Sequence, residues 1–482
     1  MRNFNLLFLL VSFFTNSCKI TGENDVPPNI ILIMTDDQGW GQTGYYNHPI
    51  LKTFNLDAMA ESGIRFDRFY AGAPVCSPTR ASVLTGRSND RTGVYTQGNA
   101  LHKQEKTISA ALKQRGYTTG HFGKWHLNGL VGPGVPILED DPYRPSVYGF
   151  DEWVSVTNFF DIDPLMSDNG KFKEYEGTSS DIIVDLAIDF IGKSIANNKP
   201  FFAVIWDGSP HDPFHALAKD MEGFYDLDEE SRNHYGELVA FDRSVGTLRD
   251  KLRKLGVAEN TLIWYCSDNG GLPEVTPSAM GNLRGHKRNL WEGGLRVPAI
   301  IEWPEKIKPA VTNFPASTMD IFPTIADLLN LPDTVMTFPQ DGQSIKAVMV
   351  GNEAQRQKPI PFRFENGGAL IDNDFKLYIA DRNSREFQLY NLADDPKETT
   401  DVSAIYPEKF EELKNQFSEF DASVENSIKG ADYSEGKLTD KPYRQGWMTD
   451  PRYRQYLDDW VKRPEYRDRI IRENNWDKNK FF

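Results

Sequence analysis

The chain is 482 residues long, yet it has only 3 cysteines and 8 histidines, no excess of positive charge, and no apolar run after its amino terminus long enough to cross a bilayer. Each shortage removes a class of protein. A formal charge of −15 argues against a nucleic-acid partner, because phosphate binding shows as a basic surplus. Local basic patches around an anionic substrate remain compatible with it. Three cysteines prompt a search for disulfides, but each has another reading from its neighbours, and no disulfide is expected. Cys266 lies inside the apolar run Leu262-Ile263-Trp264-Tyr265-Cys266 and reads as a small buried hydrophobe.

What is present begins with a leader. Arg2 precedes Leu6-Leu7-Phe8-Leu9-Leu10-Val11-Ser12-Phe13-Phe14, which is too short to span a membrane and suits a signal-peptide core. Ser17 before Cys18 then resembles a loose bacterial lipoprotein cleavage box. Residues 1–17 are therefore expected to be a signal peptide, with a lipid on Cys18 as the only membrane anchor. The expected location is an exported bacterial one: periplasmic, outer-membrane lipoprotein or cell surface. The length exceeds the roughly 250–300 residues of a single core, so one large and one smaller domain are expected.

Four apolar runs lack polar alternation: Asn29 to Thr35, Tyr117 to Phe122, Phe201 to Trp206 and Thr261 to Cys266. Strands buried on both faces of a parallel sheet look like this. Helical spacing falls between them, at Asn55 to Gly63, Thr107 to Gly116, Ser180 to Asn197 and Ser231 to Gly256, and a further helix is plausible from Ser317 to Leu329. The order predicts an α/β fold with a large, mostly parallel sheet flanked by helices. After a linker at 18–27, the catalytic domain is expected to span 28–355 and a C-terminal α+β subdomain 356–482. In the latter, Phe362-Arg363-Phe364, Ala369-Leu370-Ile371, Phe375 to Ile379 and Phe387 to Tyr390 read as an antiparallel sheet, with a helix from Tyr406 to Phe420 packed on it. From about residue 430 the chain is rich in arginine and aromatics. That tail reads as a wrap anchored on the main body, with lining of a cleft for an anionic sugar as the sharper alternative.

Each of the four runs ends in polar residues, and ligands of such sheets bind beyond the carboxyl ends of the strands. Asp36, Asp37, Asp268 and Asn269 form an oxygen-only set from two strand ends, which suits a hard cation, Ca²⁺ before Mg²⁺, and disfavours zinc. Cys76 sits in Cys76-Ser77-Pro78-Thr79-Arg80-Ala81-Ser82-Val83-Leu84-Thr85-Gly86-Arg87, where Ala81 to Leu84 reads as the first turns of a helix closed by Gly86. The thiol is expected just before the helix N-terminus, a place where anions bind.

This run resembles the Cys-x-Pro-x-Arg and Leu-Thr-Gly-Arg motif of the type I sulfatases, which belong to the alkaline-phosphatase-like superfamily. Further blocks are similar in family order: Asp36-Asp37-Gln38-Gly39, Gly123-Lys124-Trp125-His126, Ser209-Pro210-His211-Asp212-Pro213-Phe214, Asp268-Asn269-Gly270-Gly271, Lys287 and Glu292 to Pro298. Leu389 to Thr399 is similar to a stretch of the family's smaller domain, so the likeness covers roughly residues 28 to 402. It implies an alkaline-phosphatase-like fold and hydrolysis of sulfate esters. It also implies conversion of Cys76 to formylglycine (3-oxoalanine) by a formylglycine-generating or radical maturation enzyme. A hydrated aldehyde offers two hydroxyls on one carbon, one to attack sulfur beside the metal and one to expel sulfate, an exit that a plain serine lacks.

Carried over by position, the resemblance gives Cys76, Asp36, Asp37, Asp268 and Asn269 to one calcium ion. Arg80 would polarise the formylglycine, Lys124 and Lys287 would clamp sulfate, His126 would act as base, and His211 would protonate the leaving oxygen. His215 and His286 are weaker neighbours. The implied substrate is a sulfated carbohydrate, a polysaccharide or its oligosaccharides. Two other readings stand beside this one: a formylglycine-dependent phosphate or phosphonate monoester hydrolase, and a non-catalytic lipoprotein that binds sulfated glycans.

Overall fold

The computed structural model describes residues 26–476 apart from 353, 354 and 442, so the leader and Cys18 lie outside the described residues. Among the described residues the central sheet has 11 strands, ordered Ala310–Thr312, Ile64–Tyr70, Arg296–Glu302, Thr261–Ser267, Asn29–Thr35, Phe201–Trp206, Thr118–Lys124, Glu152–Val156, Leu165–Asp168 and Lys171–Glu174, with Ala316–Ser317 also pairing Ile64–Tyr70. The four anticipated strands lie side by side and parallel. Arg296–Glu302 runs antiparallel to both of its neighbours, and the edge beyond Glu152–Val156 is antiparallel as well, so the sheet is mixed.

The unbroken apolar runs now have a physical cause. Alternate residues of one strand face opposite sides, and both sides are covered. Ile30, Leu32 and Met34 join Phe202, Val204, Leu262 and Trp264 in one core, while Ile31 and Ile33 join Ala203, Ile205, Ile263 and Tyr265 in the other. Helices Ser179–Ala196 and Glu229–Lys254 cover the second face with Ile183, Phe190, Phe241 and Leu248. Each starts on a side-chain cap, Thr178 accepting from the Asp181 N–H and Asp228 from the Ser231 N–H. Cys266 is a free, buried thiol in the first core. Among the described residues, no helix is long and apolar enough to cross a membrane.

The smaller sheet is antiparallel, in the order Ile360–Phe364, Gly367–Asp372, Phe375–Ile379, Phe387–Asn391. Helix Pro407–Ile428 packs on it through Leu413 and Phe417. It runs past Phe420, where the expected helix stopped, because its last turns find partners: Ser423 and Ser427 accept from Arg91 Nη1 at 3.0 and 2.7 Å, and Val424 is buried. Lys376 has the sequence setting of a solvent-facing residue in a hairpin, yet it is fully buried. It lies 3.2 Å from Glu292 and 2.8 Å from Glu398, which joins the small sheet to the segment carrying Lys287.

The tail wraps the main body. Gln445–Gly446 pairs with Leu130–Val131, and Trp447, Tyr453, Trp460 and Tyr466 pack with Leu130, Val135 and Leu138. Tyr453 donates to the Pro136 carbonyl at 3.0 Å and Tyr466 to that of Gly134 at 2.8 Å. Two of its arginines are matched to carboxylates, Arg452 to Asp450 and Arg463 to Glu174 and Glu465.

Candidate active site

Three parallel neighbours, Asn29–Thr35, Phe201–Trp206 and Thr261–Ser267, end together, so Asp36 and Asp37, the Ser209–His211 segment, and Asp268 and Asn269 emerge at one sheet edge. Thr118–Lys124 adds Lys124 from the next position. Its bend depends on Gly123, with φ 105°, where a Cβ would sit 2.0 Å from the Trp206 carbonyl oxygen. No other residue type fits there.

Helix Cys76–Thr85 points its first turn into this cluster. The thiol was expected just before the helix, whereas Cys76 is the first helical residue and extended Val75 is the cap. The first turn tolerates this start because its N–H groups have no intrahelical partner, so Pro78 forfeits nothing there. Gly86 closes the helix at φ 72°, its N–H bonding the Ser82 carbonyl at 2.8 Å. Arg80 lies one turn after Cys76 on the same face. Its Nε and Nη2 bond Asp268 Oδ2 at 3.2 and 2.8 Å, and its Nη1 bonds the Lys124 carbonyl at 3.0 Å.

All ten residues singled out from the sequence belong to this centre. Lys124 Nζ pairs with Asp36 Oδ2, and Lys287 Nζ lies 2.6 and 2.7 Å from the two oxygens of Asp37. Asn269 Nδ2 donates to Asp37 Oδ1 at 2.7 Å, and the Asp37 N–H donates to Asp268 Oδ1 at 3.2 Å. His211 Nε2 stands 3.9 Å from Asp37 Oδ2. Its Nδ1 is 2.5 Å from the Asp212 carbonyl, which can only accept, so Nδ1 carries a proton there. Asp37, His126 and Arg288 have φ of 65°, 53° and 73°, a concentration of left-handed backbone at one site.

The electrostatics are those of buried, opposed charges. Burial alone would raise Asp36, but Lys124, His211 and Arg80 hold it well below the carboxylate range. Burial and the Asp36 charge push Asp268 up to about 7 against Arg80 and Lys124. Burial would lower Lys287, and Asp37 overrides it and raises it. Burial lifts the Cys76 thiol above its ordinary value despite Lys124 and Lys287. Burial, then Lys124, drives His126 far down, and burial, then Lys287, brings His211 to about 4.

Asp36 Oδ1 and Asn269 Oδ1 are buried acceptors without a hydrogen-bond partner. Buried oxygens of this kind, beside two further aspartates, fit a hard cation. Asp36, Asp37 and His211 can bring ligand atoms within 4.8 Å of one another. Asp268 is held differently, with one oxygen on Arg80 and the other on the Asp37 N–H.

His286 turns back on its own loop, with Nδ1 2.8 Å from the Lys287 carbonyl, and His215 gives its backbone N–H to Glu237 at 2.6 Å. Phe159, which no motif marks, stacks on His211 with ring centroids 4.6 Å apart and planes 10° apart. A phenylalanine in a loop carries no signal that would have found it.

A sequence model of the sulfatase family matches residues 28–331. The N-acetylgalactosamine-6-sulfatase of Canis lupus familiaris is 32% identical over 390 residues, covering 73% of this chain and 72% of that enzyme. The ulvan-active sulfatase of Formosa agariphila is 30% identical over 367 residues, 68% of each chain. Among solved structures, Ps i-CgsB in complex with k-i-k-neocarrahexaose superposes with a TM-score of 0.74 at 25% identity, covering 92% of this chain and 100% of that one.

Proposed function

This chain belongs to the sulfatase family and is a sulfuric ester hydrolase, and from that premise we propose that it removes sulfate from a carbohydrate, a sulfated polysaccharide or its oligosaccharides, using formylglycine made from Cys76 and one calcium ion. The relatives named above act on or bind carbohydrates, by their names: an N-acetylgalactosamine sulfate, ulvan and a neocarrahexaose. The observation that carries the mechanism is Cys76 at the first turn of its helix, within the opposed fields of two cations, Lys124 and Lys287, and two anions, Asp36 and Asp268.

A hydrated aldehyde at residue 76 would supply two hydroxyls on one carbon, and Asp36, Asp37, Asp268 and Asn269 would hold a calcium ion that would supply positive charge. Lys124 and Lys287 neutralise sulfate oxygens, which strengthens binding where charge gathers. Arg80 bonds Asp268 and the Lys124 backbone, so it fixes the helix start relative to two strand ends. His126 has two ring nitrogens without partners and is held neutral by burial and Lys124, the state a base requires. His211 has Nδ1 committed to the Asp212 carbonyl, which leaves Nε2 as the nitrogen that hands a proton to the leaving oxygen. An anionic sulfate nearby favours its imidazolium form, against the effect of burial.

The reading extends to export and a lipid on Cys18, in line with the leader sequence, and to a maturation enzyme as partner, in line with the motif around Cys76. Mass spectrometry of the peptide containing Cys76, from protein made with a maturation enzyme, should give the aldehyde in place of the thiol. Fully active protein carrying only the thiol would overturn this mechanism.

A further inference from the structure

Another acidic pair lies outside the catalytic cluster, below the loop that carries His211. Asp161 and Glu237, the latter on helix Glu229–Lys254, line one cavity together with Thr178, Ser179, Ser209 and His215. The cavity measures about 10 Å³, room for one ion or one water. Glu237 is 3% exposed; its Oε1 accepts the His215 N–H at 2.6 Å, and its Oε2 is buried without a partner. Asp161 Oδ1 is also buried without a partner.

Asp207, the nearby third carboxylate, is saturated. It accepts from Ser179 and Ser180 hydroxyls at 3.1 and 2.5 Å and from the N–H groups of Gly208 and Ser209 at 2.7 and 3.1 Å. Burial first, and then neighbouring carboxylates, hold Asp161 and Glu237 well above the usual range, and the charges acting most on them are all negative. Two orphaned carboxylate oxygens and no strong counter-charge, around an ion-sized hole, call for a positive ligand.

We infer that Asp161 and Glu237, with the hydroxyls of Ser179 and Ser209, form a second cation site that takes a calcium-class divalent ion. The donors are all oxygen, which selects a hard cation over zinc. The place of the site defines what it does. The Ser209 carbonyl accepts the Asp36 N–H at 3.0 Å, and Glu237 holds the His215 backbone, so an ion here fastens both ends of the Ser209–His215 segment to helix Glu229–Lys254. His211 lies between those ends.

The test counts calcium by elemental analysis in the full chain, stripped with chelator and re-equilibrated with calcium alone. Two ions per chain are expected for the wild type, one for Glu237→Gln or Asp161→Asn, and one for Asp36→Asn. A single wild-type ion that Asp36→Asn loses and Glu237→Gln keeps overturns the inference and leaves the two carboxyls sharing protons. A single ion lost only with Glu237→Gln upholds this site and overturns the catalytic calcium instead. Calorimetric titration of calcium into the Asp36→Asn chain reads this site alone: binding supports it, and no binding overturns it.

Discussion

The catalytic centre and the seam under the small sheet are both made of charges that are buried or nearly so, arranged to opposite ends. At the seam one ammonium, Lys376, lies between Glu292 and Glu398, the Tyr70 hydroxyl donates to Glu292 at 3.1 Å, and the Glu292 N–H donates to Glu398 at 2.7 Å. The charges there answer one another. At the centre, Arg80, Lys124 and Lys287 oppose Asp36, Asp37 and Asp268, yet Asp36 Oδ1, Asn269 Oδ1 and both nitrogens of His126 are left without partners. Polar groups buried without partners cost stability, and they persist where a ligand completes them. The seam therefore holds the fold, and the centre holds something brought to it.

The largest test of that contrast is Cys76→Ala. Turnover of a sulfated oligosaccharide should fall by about 10⁴-fold or more, with the thermal midpoint nearly unchanged, because the proposed nucleophile goes and the packing stays. A large loss of stability with partial activity would break the comparison. Next come His211→Ala and Lys287→Ala, each expected to lower kcat/KM by about 10²–10⁴-fold in steady-state assays. For Lys287→Ala the loss has a further source, since Asp37 is left with one cation fewer.

Lys376→Met should act the other way round. It leaves two buried carboxylates without their ammonium and should cost about 3–5 kcal/mol in denaturant unfolding, while the kcat of the protein that remains folded is preserved. Equal stability of variant and wild type would show that the seam is not structural. The smallest effect concerns pH. Burial, with Glu292 sharing the same lysine, pushes Glu398 up to about 6 despite Lys376. A carboxyl raised on folding stabilises the fold most below its unfolded pKa of 4.5, and that contribution fades as pH rises through about 6. Glu398→Gln should remove about 1–2 kcal/mol of this slope between those limits, read from unfolding curves at a series of pH values.

The same two regions differ in how legible they are from sequence. Much of the centre can be read because its groups follow apolar runs where parallel strands end, Asp36 after Thr35, Asp268 after Ser267 and Lys124 at the end of Thr118–Lys124, whereas Cys76, Arg80 and Lys287 are legible through their motifs. Local order in the sequence becomes proximity in space through the sheet. The seam cannot be read. Lys376 stands in Phe375-Lys376-Leu377-Tyr378-Ile379, where alternation suggests an exposed face, and only docking of the Glu292 and Glu398 segments buries it. Strands Ile64–Tyr70 and Arg296–Glu302 escape notice for a related reason. Arg65, Asp67 and Arg68 interrupt Ile64–Tyr70, and Arg296–Glu302 reads as the end of a motif, although it is an antiparallel member of the main sheet. Asp161 and Glu237 are single acids in a loop and a helix, and nothing but the tertiary fold makes them a pair.

The wrapped tail has a consequence measured in time. Tyr453 bonds the Pro136 carbonyl across 317 positions, and Trp447 and Trp460 cover Leu130, Val135 and Leu138. At roughly 5–20 residues per second, a ribosome needs about 15 to 60 s to make the chain between those partners, whereas collapse of a domain takes about 10–100 μs. The sheet's last strand, Ala316–Ser317, precedes Tyr453 by 136 positions, so for about 7 to 27 s the body can be compact around its sheet with that apolar strip uncovered. Until the last residues arrive, other chains made nearby compete with the tail for the same surface.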